Sequence, residues 1–249
     1  MMISNALVQL ADNIWIFPHD PNPGRVQPNV GIITTPNHTI LVDAGNSPRH
    51  ARRIMIALDE IEAPPVSYVI YTHSHWDHVF GGMVFDSTTV AQELCRKQVS
   101  EMASRPWSNG YIQEEIMRNP SREASLQAMS TVIDDWRNFR IVQPQLVFSR
   151  VMRLYPDDML IEIEHVGGLH APDSAVVRIP QARTLFLGDC FYPPPMHLRK
   201  EGDMLNQPMM RMLVRDDLDI YVDGHGDPMT RDEFLKLANG EGNPVKTTE

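Results

Sequence analysis

Residues 66–82 read VSYVIYTHSHWDHVFGG. The first six, β-branched and aromatic, have the composition of a buried strand, and they run directly into three histidines and an aspartate: His73, His75, Asp77 and His78. Histidine supplies 10 of the 249 residues. Three of them at fixed positions are expected by chance in roughly one such chain in sixty, so the spacing calls for a chemical reason. Residues i and i+2 of an extended segment project to one side, so His73 and His75 can grip one ion together. Asp77 and His78 lie beyond, where the chain must turn, and offer an oxygen and a nitrogen to a second ion. Gly81 and Gly82 then permit close backbone packing behind the loop.

Two ligands do not complete a catalytic metal site, which needs three and an open position, so distant partners are expected. Three stretches offer them: His170 in GGLHAPDS, Asp189 in LFLGDC and His225 in VDGHGDP, each in a turn-like setting. His19, His38, His50 and His165 fall outside any ligand spacing and read as surface or hydrogen-bonded residues.

Outward from the cluster, strands are predicted at 13–17, 31–35 and 39–43, with Pro36-Asn37-His38 as a hairpin turn. A helix begins at Ser47-Pro48 and stops before Pro64-Pro65. Residues 92–140 turn helical, with breaks at 105–109 and at Pro120. Strands return at 145–148, 159–165, 175–179, 184–187 and 220–222, and Thr230 with Glu233 has the spacing of a capping box opening a last helix. The pattern predicts one mixed α/β (α+β) domain over 1–249, layered as sheets covered by helices, with a helical insertion at about 92–140.

The HSHWDH run, a downstream histidine followed by Pro-x-Ser, a strand ending in Gly-Asp and a late Gly-His together resemble the metallo-β-lactamase superfamily, from Asp43 in ILVDAG to His225. The resemblance implies an αββα four-layer sandwich with two metal ions at one edge of the sheets. It assigns His73, His75 and His170 to the first ion, Asp77, His78 and His225 to the second, and Asp189 to a bridge between them, as in members resembling glyoxalase II and the lactonases. Asp43 then supports the site from behind or serves as a turn residue. Cys190, beside Asp189, is either a ligand, as in many true β-lactamases, or a small buried hydrophobe.

Two divalent ions about 3.5–4 Å apart would bring a shared water toward ionisation at neutral pH, with Asp77 as the catalytic residue that orients it. The expected reaction is hydrolysis of an ester, thioester, lactone or β-lactam bond. A mononuclear-iron sulfur dioxygenase and a phosphodiesterase are the alternatives; diiron reductases usually carry Glu where His75 stands. Zinc suits the histidines, and iron or manganese would also accept the Asp189 bridge. Tyr192 and His197, in the proline loop after Asp189, are candidates for a substrate pocket, together with Trp107, Tyr111 and Trp136. Arg105, Arg199 and Lys200 are candidates for holding a carboxylate.

A net charge of -10 argues against a nucleic-acid partner and for a small-molecule substrate. No apolar run has the length of a bilayer span. The two cysteines, Cys95 and Cys190, fit a reducing compartment, and with an opening stretch that lacks a basic leader they lead us to expect a cytoplasmic protein. Met209, Met210 and Met212 could pack a homodimer interface or the core.

Overall fold

A computed structural model describes residues 6–241; the first five residues of the stretch read for a leader lie outside them. The chain opens with a meander, β1 (Val8–Ala11), β2 (Ile14–Phe17), β3 (Val30–Thr34) and β4 (Thr39–Val42), each strand antiparallel to the one before. Helix α1 (Pro48–Glu60) starts at the predicted place. Ser47 accepts a hydrogen bond from the His50 amide, and Pro48, whose missing N–H costs nothing there, takes the first turn. It crosses to β5 (Val66–Ile70), which lies parallel to β4.

A single turn, α2 (Trp76–Val79), then β6 (Thr88–Gln92), three helices α3 (Glu93–Ala103), α4 (Asn109–Arg118) and α5 (Glu123–Val132), and β7 (Leu146–Phe148) complete the first sheet in sequential order, parallel from β4 onward. The second sheet takes β8 (Val151–Leu154), β9 (Ile161–His165), β10 (Ala175–Ile179), β11 (Thr184–Gly188), β12 (Ile220–Asp223) and β13 (Met229–Thr230), with α6 (Gln207–Leu213) before β12 and α7 (Arg231–Ala238) at the end.

Alternation along the strands builds the layers. Ile14, Ile16, Ile33, Ile40, Val42 and Ile70 point inward and meet Ile161, Ile163, Val177, Ile179 and Phe186 of the second sheet. Their neighbours Phe17, Ile32, Leu41 and Val69 face the other way, against Ile54 and Leu58 of α1 and Val99 and Met129 of the insertion. Leu185, Leu187 and Tyr221 pack outward against Met210 of α6 and Phe234 of α7. Three apolar layers between four layers of structure give the αββα sandwich.

Short strands escaped the sequence reading. β1 and β8 are edge strands, and β6 is only five residues opening on two threonines, so none carries the long alternation that marks a half-buried strand. The helical pattern also stops at Val132 and not near 140. There Asp135 accepts hydrogen bonds from the backbone N–H of Arg137 and the amide of Asn138, holding a turn that competes with helix. The capping box at Thr230 and Glu233 forms in full.

Candidate metal centre

Because β4 and β5 are parallel, as are β11 and β12, the carboxyl ends of these strands gather at one edge, where open α/β sheets place their ligands. Ties across the sheets hold them: the Ala175 amide donates to Thr72 O and the Asn29 amide to Gly224 O, while the Asn29 side chain donates to the carbonyls of Asp223 and Gly226.

The end of β5 delivers His73 and His75, α2 adds Asp77 and His78, the loop between β9 and β10 adds His170, and the ends of β11 and β12 add Asp189 and His225. All seven come together as two groups of potential metal ligands. His73, His75 and His170 form one; Asp77, His78, Asp189 and His225 form the other, the ligand atoms within each lying within 4.8 Å of one another. Asp189 Oδ2 sits between the groups, 3.9 Å from His73 Nε2, 3.4 Å from His170 Nε2 and 3.4 Å from both His78 Nε2 and His225 Nε2. Its position matches a bridge.

Three of the five rings are set from behind. His170 Nδ1 lies 2.9 Å from Pro193 O, His73 Nδ1 3.1 Å from Thr72 Oγ1 and His78 Nδ1 2.7 Å from Asp43 Oδ2. A ring whose Nδ1 is engaged outside turns Nε2, with its lone pair, inward. Asp43 also accepts from the Thr72 amide and hydroxyl, and it takes a positive φ of 68°, a left-handed conformation that costs energy in a non-glycine residue. Of its two readings, support from behind is what the structure shows.

Towards the centre the pattern reverses. His73 Nε2, His78 Nε2 and the carboxylate oxygens of Asp77 and Asp189 are buried without a hydrogen-bond partner. Asp77 Oδ2 is 3.2 Å from His78 Nε2 and 3.1 Å from His225 Nε2, yet these atoms are not aligned as donor and acceptor. His170 Nε2 and His75 Nδ1 do meet, at 2.9 Å, but the other atoms named converge on a point instead of on each other, which fits a cation there, and a nitrogen- and oxygen-rich set of this kind suits a divalent transition metal.

Charge tells the same story. Burial, then repulsion from the other imidazoles, holds His73 far below the usual histidine range, and burial with the charge of His170 takes His75 down to about 3, so both rings stay neutral and available. Burial works to raise Asp77 and Asp189, but His78 and His225 overcome it and keep both ionised. His78 is held well above its ordinary value against burial by Asp77, Asp189 and Asp43. Three buried carboxylates demand a positive charge, and a metal ion would take the place of that proton.

Glycines make room. A Cβ on Gly224 would stand 1.9 Å from Asp189 Oδ1, and one on Gly81 would stand 1.9 Å from Ala44 O behind the loop. Asp173, three residues after His170 in the loop before β10, accepts a hydrogen bond from the Ser74 amide and fixes the chain between His73 and His75; the sequence pattern alone did not single it out.

A cavity of about 680 Å³ opens on this edge, lined by His75 and Asp77 and walled by Trp76, Met102, Trp107 and Met129, with His197 across from the insertion. His197 therefore stands where a pocket residue was expected. Tyr192 does not line the cavity: it is buried beneath the site, where its hydroxyl accepts from the His225 amide. Trp107 is in the wall, whereas Tyr111 and Trp136 pack against its ring from behind. Of the basic candidates Arg105 lines the cavity; Arg199 is turned to Pro194 O, and Lys200 is exposed outside the lining. Cys190 is fully buried in the outer core, its thiol pushed up by burial, and it belongs to neither ligand group. The wall residue Arg122 was not singled out from the sequence; a lone arginine after a proline carries no signal there.

The sequence profile of the metallo-beta-lactamase superfamily matches residues 23–225. The α subunit of the 2,4-dinitroanisole O-demethylase of Nocardioides is 26% identical over 198 residues, 78% of this chain and 51% of that one. A linear primary-alkylsulfatase of Pseudomonas is 22% identical over 237 residues, 82% of this chain and 42% of that one. The chain spans about half the length of the curated relatives it matches. Among solved structures, a metallo-beta-lactamase from Pontibacter korlensis superposes with a TM-score of 0.65 at 16% identity, covering 94% of this chain and 96% of that one. No helix among the described residues is long and apolar enough to cross a membrane.

Proposed function

The chain belongs to the metallo-β-lactamase superfamily, and from that premise we propose that it is a hydrolase using two divalent metal ions, zinc by ligand type, to cleave an ester-like bond of a small molecule. The observation that carries this reading is the pair of ligand groups sharing Asp189 beside an apolar cavity. The second group, with Asp77, His78 and His225 all present, could hold a second ion; the alternative, a single-iron sulfur dioxygenase, keeps the same residues and would be revealed by bound iron and oxygen consumption on a persulfide.

Bound ions would polarise the substrate's carbonyl or ester oxygen and lower the pKa of a water toward neutrality. The chain supplies the rest. Asp77 lines the cavity and is held ionised, so it is placed to orient the attacking water and accept its proton. Trp76, Met102, Trp107 and Met129 exclude bulk water and give an apolar body somewhere to lie. The volume suits a small molecule, and the net charge of -10 disfavours nucleic acid, which counts against a nuclease among the phosphodiesterases.

Candidate bonds are the ester, thioester, lactone and β-lactam; the relative named as a linear primary-alkylsulfatase adds a sulfate ester to the panel. Two buried free cysteines support a reducing compartment such as the cytoplasm. A homodimer through the α6 methionines would use Met212, which is 83% exposed, because Met210 is fully buried in the core.

The test is hydrolysis of a panel of chromogenic substrates, a β-lactam, an aryl ester, a thioester, a lactone and an aryl sulfate, by zinc-loaded protein beside a chelated sample. Chelator-sensitive turnover of at least one, with about two metal ions per chain, supports the proposal. A protein that binds the metal and cleaves none of them overturns it.

A further inference from the structure

The cavity wall contributed by the insertion carries two arginines. Arg105 follows α3, and Arg122 precedes α5; both line the cavity that His75 and Asp77 open into. Among the described residues neither guanidinium has a carboxylate within ion-pair distance, although the chain carries ten more acidic than basic side chains. Nearby Glu115 is engaged by Arg118 at 3.0 Å, and Glu101, also on the lining, is exposed to solvent. Arg105 instead stands 5.9 Å from the ring centre of Trp107.

Helix stability does not account for Arg122. It occupies the N-cap of α5, makes no side-chain capping bond there, and puts a cation at the positive end of a ten-residue helix. Burial first, and then the charge of Arg105, pushes its pKa down, so the two arginines feel each other across the cavity; Glu115 offsets this in part. His197 feels Arg122 too: burial and then that charge lower its pKa. Half-buried arginine remains charged, and two unpaired guanidiniums beside a helix N-terminus in an apolar wall make a site of positive potential with its donors free.

We propose that Arg105 and Arg122 form an anion-binding subsite, and that the substrate is an amphiphile whose oxyanion end they hold while its cleavable bond lies toward His75 and Asp77. The apolar body between would run along Trp76, Met102, Trp107 and Met129. This rests on the hydrolase reading for what is cleaved, but the subsite itself does not depend on turnover.

The first arm of the test is binding. Titration of metal-loaded protein with 1-hexanesulfonate and with 1-hexanol, followed by tryptophan fluorescence since Trp76 and Trp107 line the cavity, should give tighter binding of the sulfonate. Arg122→Gln and Arg105→Gln should each weaken the sulfonate about tenfold, the order expected for loss of a charge-assisted hydrogen bond, with Arg122→Lys between. Unchanged circular dichroism and melting temperature show that the variants fold. Sulfonate bound no tighter than hexanol, or bound equally well by both Gln variants, overturns the subsite.

The second arm compares kcat/KM for 4-nitrophenyl hexanoate and the mono-4-nitrophenyl ester of adipic acid, which differ at the far end by a carboxylate. A preference for the adipate ester that falls toward unity in Arg122→Gln supports the subsite; cleavage of both esters without preference in the unaltered protein counts against it. Arginine-dependent sulfonate binding with no cleavage of either ester or of any substrate in the panel above leaves the subsite standing and removes the hydrolase reading.

Discussion

At the candidate metal edge, seven side chains arrive from four separated segments, and three of the histidines are fixed by polar groups behind them, His73 by the Thr72 hydroxyl, His78 by Asp43 and His170 by Pro193 O. Most of the cavity wall opposite comes from the insertion between Gln98 and Thr131, and its side chains are held largely by packing: Trp107 stacks on Trp136 at 5.8 Å and meets Phe80 edge-on at 5.7 Å. The edge is therefore built for one geometry that chemistry dictates. A wall held by apolar contacts can exchange residues of similar volume without disturbing the edge, so the proposal puts reaction type in one region and substrate choice in the other.

The largest effect expected from breaking this division is on the edge. On the proposed mechanism Asp77→Ala removes both a ligand and the proton acceptor, and hydrolysis by metal-loaded protein should fall by about 10³-fold or more while the fold survives. Turnover assays with metal content and circular dichroism check it; His75→Ala should behave alike. Full activity in either variant would reject the assigned centre.

The same division explains what was legible in the sequence. Ligands must be His and Asp at fixed places after strand ends, so HSHWDH, GGLHAPDS, LFLGDC and VDGHGDP announce themselves, and Ser47-Pro48 and Thr230 with Glu233 mark their helices by capping chemistry. The wall follows no such rule. Whether Trp107 or Trp136 faces the cavity depends on how α3, α4 and α5 pack, and Tyr192 and His197, five residues apart in one loop, end on different sides of the site. Arg122 gains meaning only from the cavity and from Arg105 beside it.

A second experiment tests whether the fixing groups matter as much as the ligands. Asp43→Asn keeps size and shape but weakens the carboxylate's hold on His78 Nδ1 and the Thr72 amide. Metal affinity, measured by competition with a chromophoric chelator, should drop about 10- to 100-fold, with pocket binding of 1-hexanol little changed.

Acid should also separate the regions. His50, on α1 behind the Asp43 loop, is pushed down to about 3 by burial and then by Arg53, from an unfolded value near 6.5. The unfolded chain therefore binds a proton that the folded one refuses, so stability is full above about pH 6.5 and declines as pH falls toward 3. At pH 5 the loss from this group is about 2 kcal/mol. Denaturant melts of the unaltered protein and of His50→Gln should converge as the pH is lowered, because the variant lacks this titration. Parallel curves would assign the acid sensitivity elsewhere.

The smallest effect concerns the joint between edge and wall. Trp76 stands beside Asp77, and its indole N–H donates to Ser125 Oγ of α5 at 3.1 Å, a direct bond between the metal loop and the insertion. Trp76→Phe keeps most of the apolar surface and removes the donor. Stability should fall by about 1 kcal/mol in a denaturant melt, the ordinary net worth of one hydrogen bond. If the edge is self-sufficient, metal content and kcat should stay within about twofold, while KM shifts as α5 loosens. A matching loss of kcat or metal would mean that α5 positions Asp77, and the division between the two regions would then run through Trp76.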